Sequence, residues 1–128
     1  MNADDSHSAE LLRGINIPSI TYGIRCEKAD VRAADIEICA RNIEFEMLTP
    51  NGNKQINVSI PGLFNVFNAM LAASVCMKLG IDLDTIAEGL KSVKGVSGRM
   101  ESLPAEGFDF SVILDFAHTP DGLSNLLS

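Results

Sequence analysis

The hydrophobic pattern of this chain changes period at Pro61-Gly62, and that change limits the folds open to it. In residues 31–60 apolar side chains alternate with polar ones, a pattern typical of strands with one face in solvent. Residues 50–53 interrupt this stretch with a turn signal. Residues 63–79 are apolar on nearly every side, which predicts a buried helix. The pattern therefore predicts a small antiparallel meander followed by a helix.

A short strand is predicted before the meander, and a second helix is predicted after the first. Residues 19–24 contain three consecutive β-forming residues, which indicates a strand. Gly80 is expected to end the first helix in the left-handed conformation. Asp82 is expected to cap the second helix, whose apolar face is predicted to consist of Leu83, Ile86, Ala87 and Leu90.

The last third of the chain has the pattern of a new unit. Residues 95–98 contain two glycines and a serine and are typical of a linker. Residues 111–114 are predicted to form a buried strand that ends at Asp115. Thr119-Pro120-Asp121 predicts a helix start, because it supplies a capping hydroxyl, a proline at the first helical position and an acid in the first turn. One strand and about two turns of helix cannot make a core, so we expect this sequence to be a piece of a longer protein.

Composition argues against several classes of partner. The 128 residues have a formal net charge of −7 and no cluster of lysines or arginines, so we expect no nucleic acid as a partner. No apolar run reaches the roughly 18 residues that span a bilayer, and the N-terminus lacks a signal-peptide pattern. We therefore expect a cytoplasmic location and no membrane association. The three widely spaced cysteines fit idle thiols in a reducing compartment.

Two asparagines stand three residues apart near the start of the predicted buried helix. Asn65 and Asn68 share one face at this spacing, and that face continues through the small residues Ala69 and Ala72. One interpretation is that both amides satisfy nearby backbone groups. The other is that they offer donors and acceptors to a flat heteroaromatic edge, as asparagine does with adenine.

Three further candidates lie in and beyond the linker. Arg99 follows a glycine and is either a solvated charge or a cation that reaches a phosphate when two domains close. Asp115 stands at the carboxyl end of a predicted strand, where an acid commonly binds ribose hydroxyls in open α/β sheets. His118 lies in the same loop, and a simple turn role is the alternative for both residues. The histidines and cysteines lack the paired spacing of a metal site.

Four motifs follow one another along the chain: Asn2-Ala3-Asp4-Asp5, Gly62-Leu63-Phe64-Asn65-Val66-Phe67-Asn68-Ala69-Met70-Leu71-Ala72-Ala73, Gly98-Arg99-Met100-Glu101 and Asp115-Phe116-Ala117-His118-Thr119-Pro120-Asp121. In this order and spacing they resemble the Mur ligase family over the whole chain. The last motif is close to the family pattern D-Y-A-H-T-P-D with phenylalanine in place of tyrosine, a form that resembles the members adding the third residue of the peptidoglycan peptide.

This resemblance implies an α/β fold in two parts. Residues 1–94 would be the second half of the central ATPase domain, with a parallel strand, a small antiparallel meander and helices. Residues 95–128 would be the linker and the first βα unit of a Rossmann-like C-terminal domain. In the family, ATP with Mg²⁺ activates a carboxylate as an acyl phosphate, and an amine attacks it. The implied substrates are UDP-N-acetylmuramoyl-L-alanyl-D-glutamate and either diaminopimelate or lysine.

The resemblance also implies roles for individual residues. Asn65 and Asn68 would lie by the adenine, Arg99 would reach the phosphates, and Asp115 would meet the ribose. His118 would belong to the active-site loop. No catalytic residue and no metal ligand of the family is expected within this sequence.

The sequence lacks some motifs of the family, and two other functions are considered. The sequence contains no G-x-x-x-x-G-K-[ST] phosphate loop, so the chain alone is expected to be inactive as a ligase. It is also expected to self-associate, because by itself it would leave the strand over residues 19–24 with an unpaired edge and the helix over residues 63–79 with exposed apolar surface. One alternative is a folylpolyglutamate or cyanophycin synthetase, which shares the ATPase scaffold but is disfavoured by the A-H-T-P-D loop. The other is a free-standing nucleotide-binding or interaction module without ligase activity.

Overall fold

The computed structural model describes residues 1–105, 107–110 and 112–127, and these residues form the predicted mixed α/β fold. Their helices are α1 Ser8–Gly14, α2 Leu63–Lys78, α3 Leu83–Ser92 and α4 Pro120–Leu127. Their strands are β1 Tyr22–Gly23, β2 Val31–Ile38, β3 Ile43–Thr49, β4 Gly52–Val58, β5 Glu101–Leu103 and β6 Val112–Leu114. None of the helices in this described part is both long and apolar enough to cross a bilayer.

The predicted meander is confirmed as the antiparallel run β2-β3-β4, and β1 pairs with β2 in parallel at one side. A two-residue turn joins β3 to β4, since Thr49 pairs directly with Gly52. Gly52 has a φ of 120°, a conformation that favours glycine. The inward face of β3 consists of Ile43, Phe45 and Met47, all at 0% exposure. These side chains form the centre of the core, as the alternation predicts.

A β-bulge shifts the alternation within β2. The register moves between Ala34 and Glu37, so two residues of β2 stand opposite one residue of β3. Asp35 lies in the bulge with a φ of 49°. Ile36, the other residue of the bulge, is partly buried against the core, whereas Ile38 at the strand end is 52% exposed. The sequence pattern alone does not reveal this break in register.

Helix α2 is buried on one face, as predicted, and it exposes an apolar surface on the other, as expected for this chain by itself. Val66, Met70 and Ala73 are at 0% exposure, and α2 contacts β1, β2 and β3. Leu71 and Val75 on the opposite face are exposed. Among the described residues, the sheet and α3 pack against α2, and the apolar side chains on its other face stay in solvent.

The predicted end of α2 and the predicted start of α3 are both confirmed. Gly80 has a φ of 82°, and the N–H of Ile81 donates to the carbonyl of Cys76, which forms a Schellman motif. The side chain of Asp82 then accepts a hydrogen bond from the N–H of Thr85 at the start of α3. The predicted apolar face of α3 packs against the core: Leu83, Ile86, Ala87 and Leu90.

The strand predicted over residues 19–24 is shorter, and its outer edge is covered. Only Tyr22–Gly23 is regular strand. The N-terminal segment runs alongside it in parallel: Tyr22 donates to the carbonyl of Met1, and Ala3 donates to the carbonyl of Tyr22. The expectation that this edge is unpaired is therefore wrong, because the first three residues provide its backbone partners.

The C-terminal unit is a two-stranded antiparallel ribbon, β5–β6, followed by α4. Its second strand, Val112–Leu114, is exposed at all three positions, so the prediction of a buried strand is wrong for the described residues. The cause is that, among the described residues, β6 pairs with β5 and with no other strand. Ser111, the first residue of the predicted strand, lies outside the described residues. The predicted helix start is confirmed, because Thr119 Oγ1 accepts the N–H of Gly122 at 3.1 Å.

Candidate functional site

Three of the five predicted site residues line one open groove of about 320 Å³. Arg99, Asp115 and His118 come from the linker and from the loop after β6. Phe64, in the first turn of α2, lines the groove as well and connects it to the sheet-containing part of the chain. The remaining lining residues belong to the loop and to α4: Phe116, Ala117, Thr119, Gly122 and Leu126.

Hydrogen bonds from backbone N–H groups hold residues 98–100 against the end of β6 and the loop after it. The N–H of Phe116 donates to the carbonyl of Gly98 at 2.8 Å. The N–H of Met100 donates to Asp115 Oδ2 at 2.8 Å, and Met100 has a φ of 47°. The other carboxylate oxygen, Asp115 Oδ1, accepts the N–H of Ala117 at 2.7 Å. Arg99 lies between Gly98 and Met100, so these hydrogen bonds hold its backbone against the loop that contains Asp115.

An aromatic side chain stands between the arginine and the histidine of the groove. The guanidinium carbon of Arg99 lies 5.9 Å from the centroid of the Phe116 ring. The ring of His118 meets the same phenylalanine edge-on, with centroids 4.9 Å apart and planes at 65°. His118 Nδ1 also lies 2.9 Å from the carbonyl oxygen of Phe116. Phe116 therefore contacts both polar side chains of this side of the groove.

The two asparagines have different environments, although they share one face of α2. Asn65 is buried, and its Nδ2 donates to the carbonyl of Pro61 at 2.7 Å. Asn68 is exposed, and its Nδ2 donates to Asn65 Oδ1 at 3.0 Å. Neither lines the groove, but Asn68 is four residues after Phe64 and so lies on the same side of α2. Asn65 thus has the backbone-satisfying contact considered above, whereas Asn68 is available to a ligand.

The groove can hold an anionic ligand that also carries hydroxyl groups. Its volume is within the range of small-molecule sites. Arg99 offers a planar set of donors to an anion, and it forms no ion pair within the described ranges. Each oxygen of Asp115 accepts one backbone N–H, and a carboxylate retains further acceptor sites for hydroxyls. No set of three His, Cys, Asp or Glu side chains converges as metal ligands in the part of the chain that the structure describes.

Comparison with known families decides what kind of protein contains this groove. Residues 1–76, more than half of the chain, match the family model described as the Mur ligase middle domain. The chain belongs to the Mur ligase family. The resemblance inferred from the four motifs is thereby confirmed at the level of the family.

Individual Mur ligases match this chain along its whole length. It is 42% identical over 128 residues to the UDP-N-acetylmuramoyl-L-alanyl-D-glutamate–2,6-diaminopimelate ligase of Bacillus licheniformis. That alignment covers 100% of this chain and 26% of the relative, so the chain spans about a quarter of that protein. The crystal structure of MurF from Acinetobacter baumannii superposes with a TM-score of 0.86 at 25% identity, covering 97% of this chain and 27% of that one.

A second solved structure shows the same fold at lower sequence identity. It is the MurF ligase of Thermotoga maritima in complex with ADP, with a TM-score of 0.75 and 19% identity. The match covers 98% of this chain and 28% of that chain. Both structural matches include the linker and the C-terminal unit, so the Mur ligase fold extends beyond the residues matched by the family model.

Sequence reasoning missed the contacts of Asp4, which ties the N-terminal segment of this Mur ligase chain to the end of β1. Its carboxylate accepts hydrogen bonds from three consecutive backbone N–H groups: Ile24 at 2.7 Å, Cys26 at 2.8 Å and Arg25 at 3.1 Å. Partial burial raises the pKa of Asp4, but these donors and the Arg25 charge outweigh it, so the net pKa lies below 3.8. A side chain at Gly23 would meet this carboxylate, because a Cβ there would lie 2.9 Å from Asp4 Oδ1.

A larger groove of about 920 Å³ contains none of the five predicted residues. It lies between the β2–β3 turn, the linker, residues 103–105 and residues 108–110. Its lining includes the cations Arg41 and Lys94 and the neighbouring rings of Phe108 and Phe110. The smaller groove is therefore the favoured site, because three of the five predicted site residues line it.

Proposed function

We propose that this chain is part of an ATP-dependent ligase that adds diaminopimelate or lysine to UDP-N-acetylmuramoyl-L-alanyl-D-glutamate in peptidoglycan biosynthesis. The observation that carries this proposal is the groove in which Arg99, Asp115 and His118 meet beside α2. Residues 1–94 belong to the central ATP-binding domain in this proposal, and residues 95–128 are the linker and the start of the C-terminal domain. The location proposed for the protein is the cytoplasm.

Each candidate residue has a distinct role in the proposal. Arg99 holds the phosphates of ATP, and Asp115 accepts hydrogen bonds from the ribose hydroxyls. Asn68 reads the adenine edge with its exposed amide. Asn65 orients Asn68 through the 3.0 Å hydrogen bond between the two side chains. His118 borders the ligand in the loop after β6.

The residues of the groove fit a nucleotide better than they fit a metal ion. A cation, a carboxylate with open acceptor sites and an aromatic lining occur together, whereas the described residues hold no cluster of metal ligands. Bound ATP would supply the phosphoryl group that activates the substrate carboxylate, and Mg²⁺ would be bound by residues outside this sequence. The side chains of this chain bind and orient the nucleotide.

The relative at 42% identity is named for diaminopimelate, which favours that amino acid over lysine as the proposed substrate. A folylpolyglutamate or cyanophycin synthetase is less favoured, because the loop after β6 reads Ala117-His118-Thr119-Pro120-Asp121. A module without ligase activity would have the same groove, so an activity measurement must separate it from the ligase.

The test is product formation by the full-length protein that contains this chain. We expect formation of the UDP-linked tripeptide from the dipeptide precursor, ATP and labelled diaminopimelate or lysine, with one phosphate released per amide bond. Arg99→Gln should raise the Michaelis constant for ATP about tenfold to a hundredfold, since hydrogen bonds to charged groups contribute about 1.5–3 kcal/mol. Arg41→Gln is the matched control, because Arg41 lines the other groove.

Two outcomes would contradict the proposal. An unaltered protein that binds ATP but forms no amide product with either amino acid would favour the module. Equal effects of the two arginine substitutions on the Michaelis constant for ATP would show that the groove is not part of the nucleotide site.

A further inference from the structure

We propose that Phe116 is a positioning residue that holds the Arg99 guanidinium toward the ligand in the groove. This inference rests on the proposed function, in which Arg99 binds the phosphates of ATP. Phe116 stands where the family motif has tyrosine, so the ring is common to both side chains while the hydroxyl is not. The proposed role therefore belongs to the ring.

Within the described part of the chain, the backbone of Arg99 is fixed by hydrogen bonds, whereas its side chain is not. The backbone is fixed on both sides, by the hydrogen bond from Phe116 to Gly98 and by the one from Met100 to Asp115. The side chain is exposed and forms no ion pair among the residues that the structure describes. A long, exposed arginine loses conformational freedom when it binds a ligand, and a contact that limits this freedom beforehand favours binding.

The Phe116 ring supplies such a contact. The guanidinium carbon lies 5.9 Å from the ring centroid, within the range of a cation–π interaction. Phe116 is 65% exposed. The position of its ring is limited by the hydrogen bond from its backbone N–H to the carbonyl of Gly98 and by the His118 ring, whose centroid lies 4.9 Å away. A cation–π contact leaves the N–H donors of the guanidinium available for an anion, whereas an ion pair with a carboxylate would occupy them.

A binding experiment on the full-length protein tests this role. Isothermal titration measures the dissociation constants of ATP and of adenosine for the unaltered protein and for Phe116→Leu, Phe116→Tyr, Arg99→Gln and the double variant Phe116→Leu/Arg99→Gln. Phe116→Leu should weaken ATP binding about twofold to fivefold, the change that corresponds to a cation–π contact at an exposed site. Adenosine binding should not change, because adenosine has no phosphate for Arg99, and Phe116→Tyr should bind like the unaltered protein.

The double variant supplies the decisive comparison. If Phe116 acts through Arg99, Phe116→Leu should have no further effect in the Arg99→Gln background. Phe116→Met is a second ring-free variant, and unfolding midpoints of all variants show which of them are fully folded at the temperature of the titration. Agreement between the two ring-free variants then excludes a folding defect as the cause.

Several results would overturn the inference. Equal losses for adenosine and ATP would show that the ring contacts the base or the sugar directly. Independent effects of the two substitutions, or unchanged ATP binding in both ring-free variants, would remove the coupling between Phe116 and Arg99 while leaving the proposed function intact. An unaltered protein that binds no ATP would refute the proposed function and the inference with it.

Discussion

Removal of the Asp4 carboxylate should destabilise the chain more than removal of its neighbour. Asp4 accepts three backbone hydrogen bonds at 2.7–3.1 Å from Ile24, Arg25 and Cys26. Hydrogen bonds to a charged group contribute about 1.5–3 kcal/mol each when buried. Asp4 is only partly buried, so solvent screens its charge, and about 1 kcal/mol per bond is a fitting value. We therefore expect Asp4→Ala to lower the free energy of unfolding by about 3 kcal/mol.

The contribution of Asp4 should also depend on pH in a defined direction. The pKa of its carboxyl group is lower in the folded chain than the ordinary value of 3.8. The ionised carboxylate of Asp4 therefore stabilises the folded state, and this contribution is complete at pH values well above 3.8. It is lost as the pH falls through the pKa of the folded state. The difference in stability between the unaltered chain and Asp4→Asn should accordingly shrink below pH 3.8.

Urea unfolding of the chain, at low protein concentration and at several pH values, measures both effects. Asp5→Ala is the matched control, because Asp5 accepts its hydrogen bonds from the exposed His7 alone and should have the smaller effect. The reasoning would be refuted if Asp4→Ala and the unaltered chain had the same free energy of unfolding at pH 7. A stability difference between the unaltered chain and Asp4→Asn that is the same on both sides of pH 3.8 would also refute it.

Four further predictions concern the two asparagines of α2, the isolated chain and the exposed surface of α2. Asn65→Ala should lower the free energy of unfolding by about 1–3 kcal/mol, because it leaves the Pro61 carbonyl without its side-chain donor. Asn68→Ala should leave stability nearly unchanged but raise the Michaelis constant of the full-length enzyme for ATP about tenfold to a hundredfold and weaken its preference for ATP over GTP. A destabilised variant with normal ATP affinity would contradict this. The 128-residue chain alone should not hydrolyse ATP, and turnover that Asp115→Ala abolishes would count against this prediction. It should sediment as a dimer or larger species through the exposed apolar face of α2, and a monodisperse monomer at high concentration would show that this face does not self-associate.

The sequence predicted the features that depend on residues close together in the chain. The alternation at Ile43, Phe45 and Met47 gave the inward face of the meander, since successive side chains of a strand point to opposite faces. The capping role of Asp82 followed from residue type and position in the same way. Motif spacing identified Arg99 and Asp115, which the structure brings together in one groove.

The features that the sequence did not predict are contacts between residues far apart in the chain, and the extent to which each element is buried. The donors to Asp4 lie 20 to 22 residues away, so no local pattern reveals that contact. Helix α1 was not predicted, because most of its residues are exposed and it has little apolar periodicity. The apolar residues of α2 and β6 predict burial, but burial needs covering elements, and the described residues cover α2 on one face and leave β6 exposed.

A crystal structure of the full-length protein with a non-hydrolysable ATP analogue tests the central claim most directly. The claim is that this chain supplies part of the nucleotide site of a Mur ligase. The proposed roles predict phosphate oxygens at the Arg99 guanidinium, a ribose hydroxyl within hydrogen-bond distance of Asp115, and the adenine edge at Asn68. An analogue bound elsewhere in the protein, with no contact to these three side chains, would contradict the account.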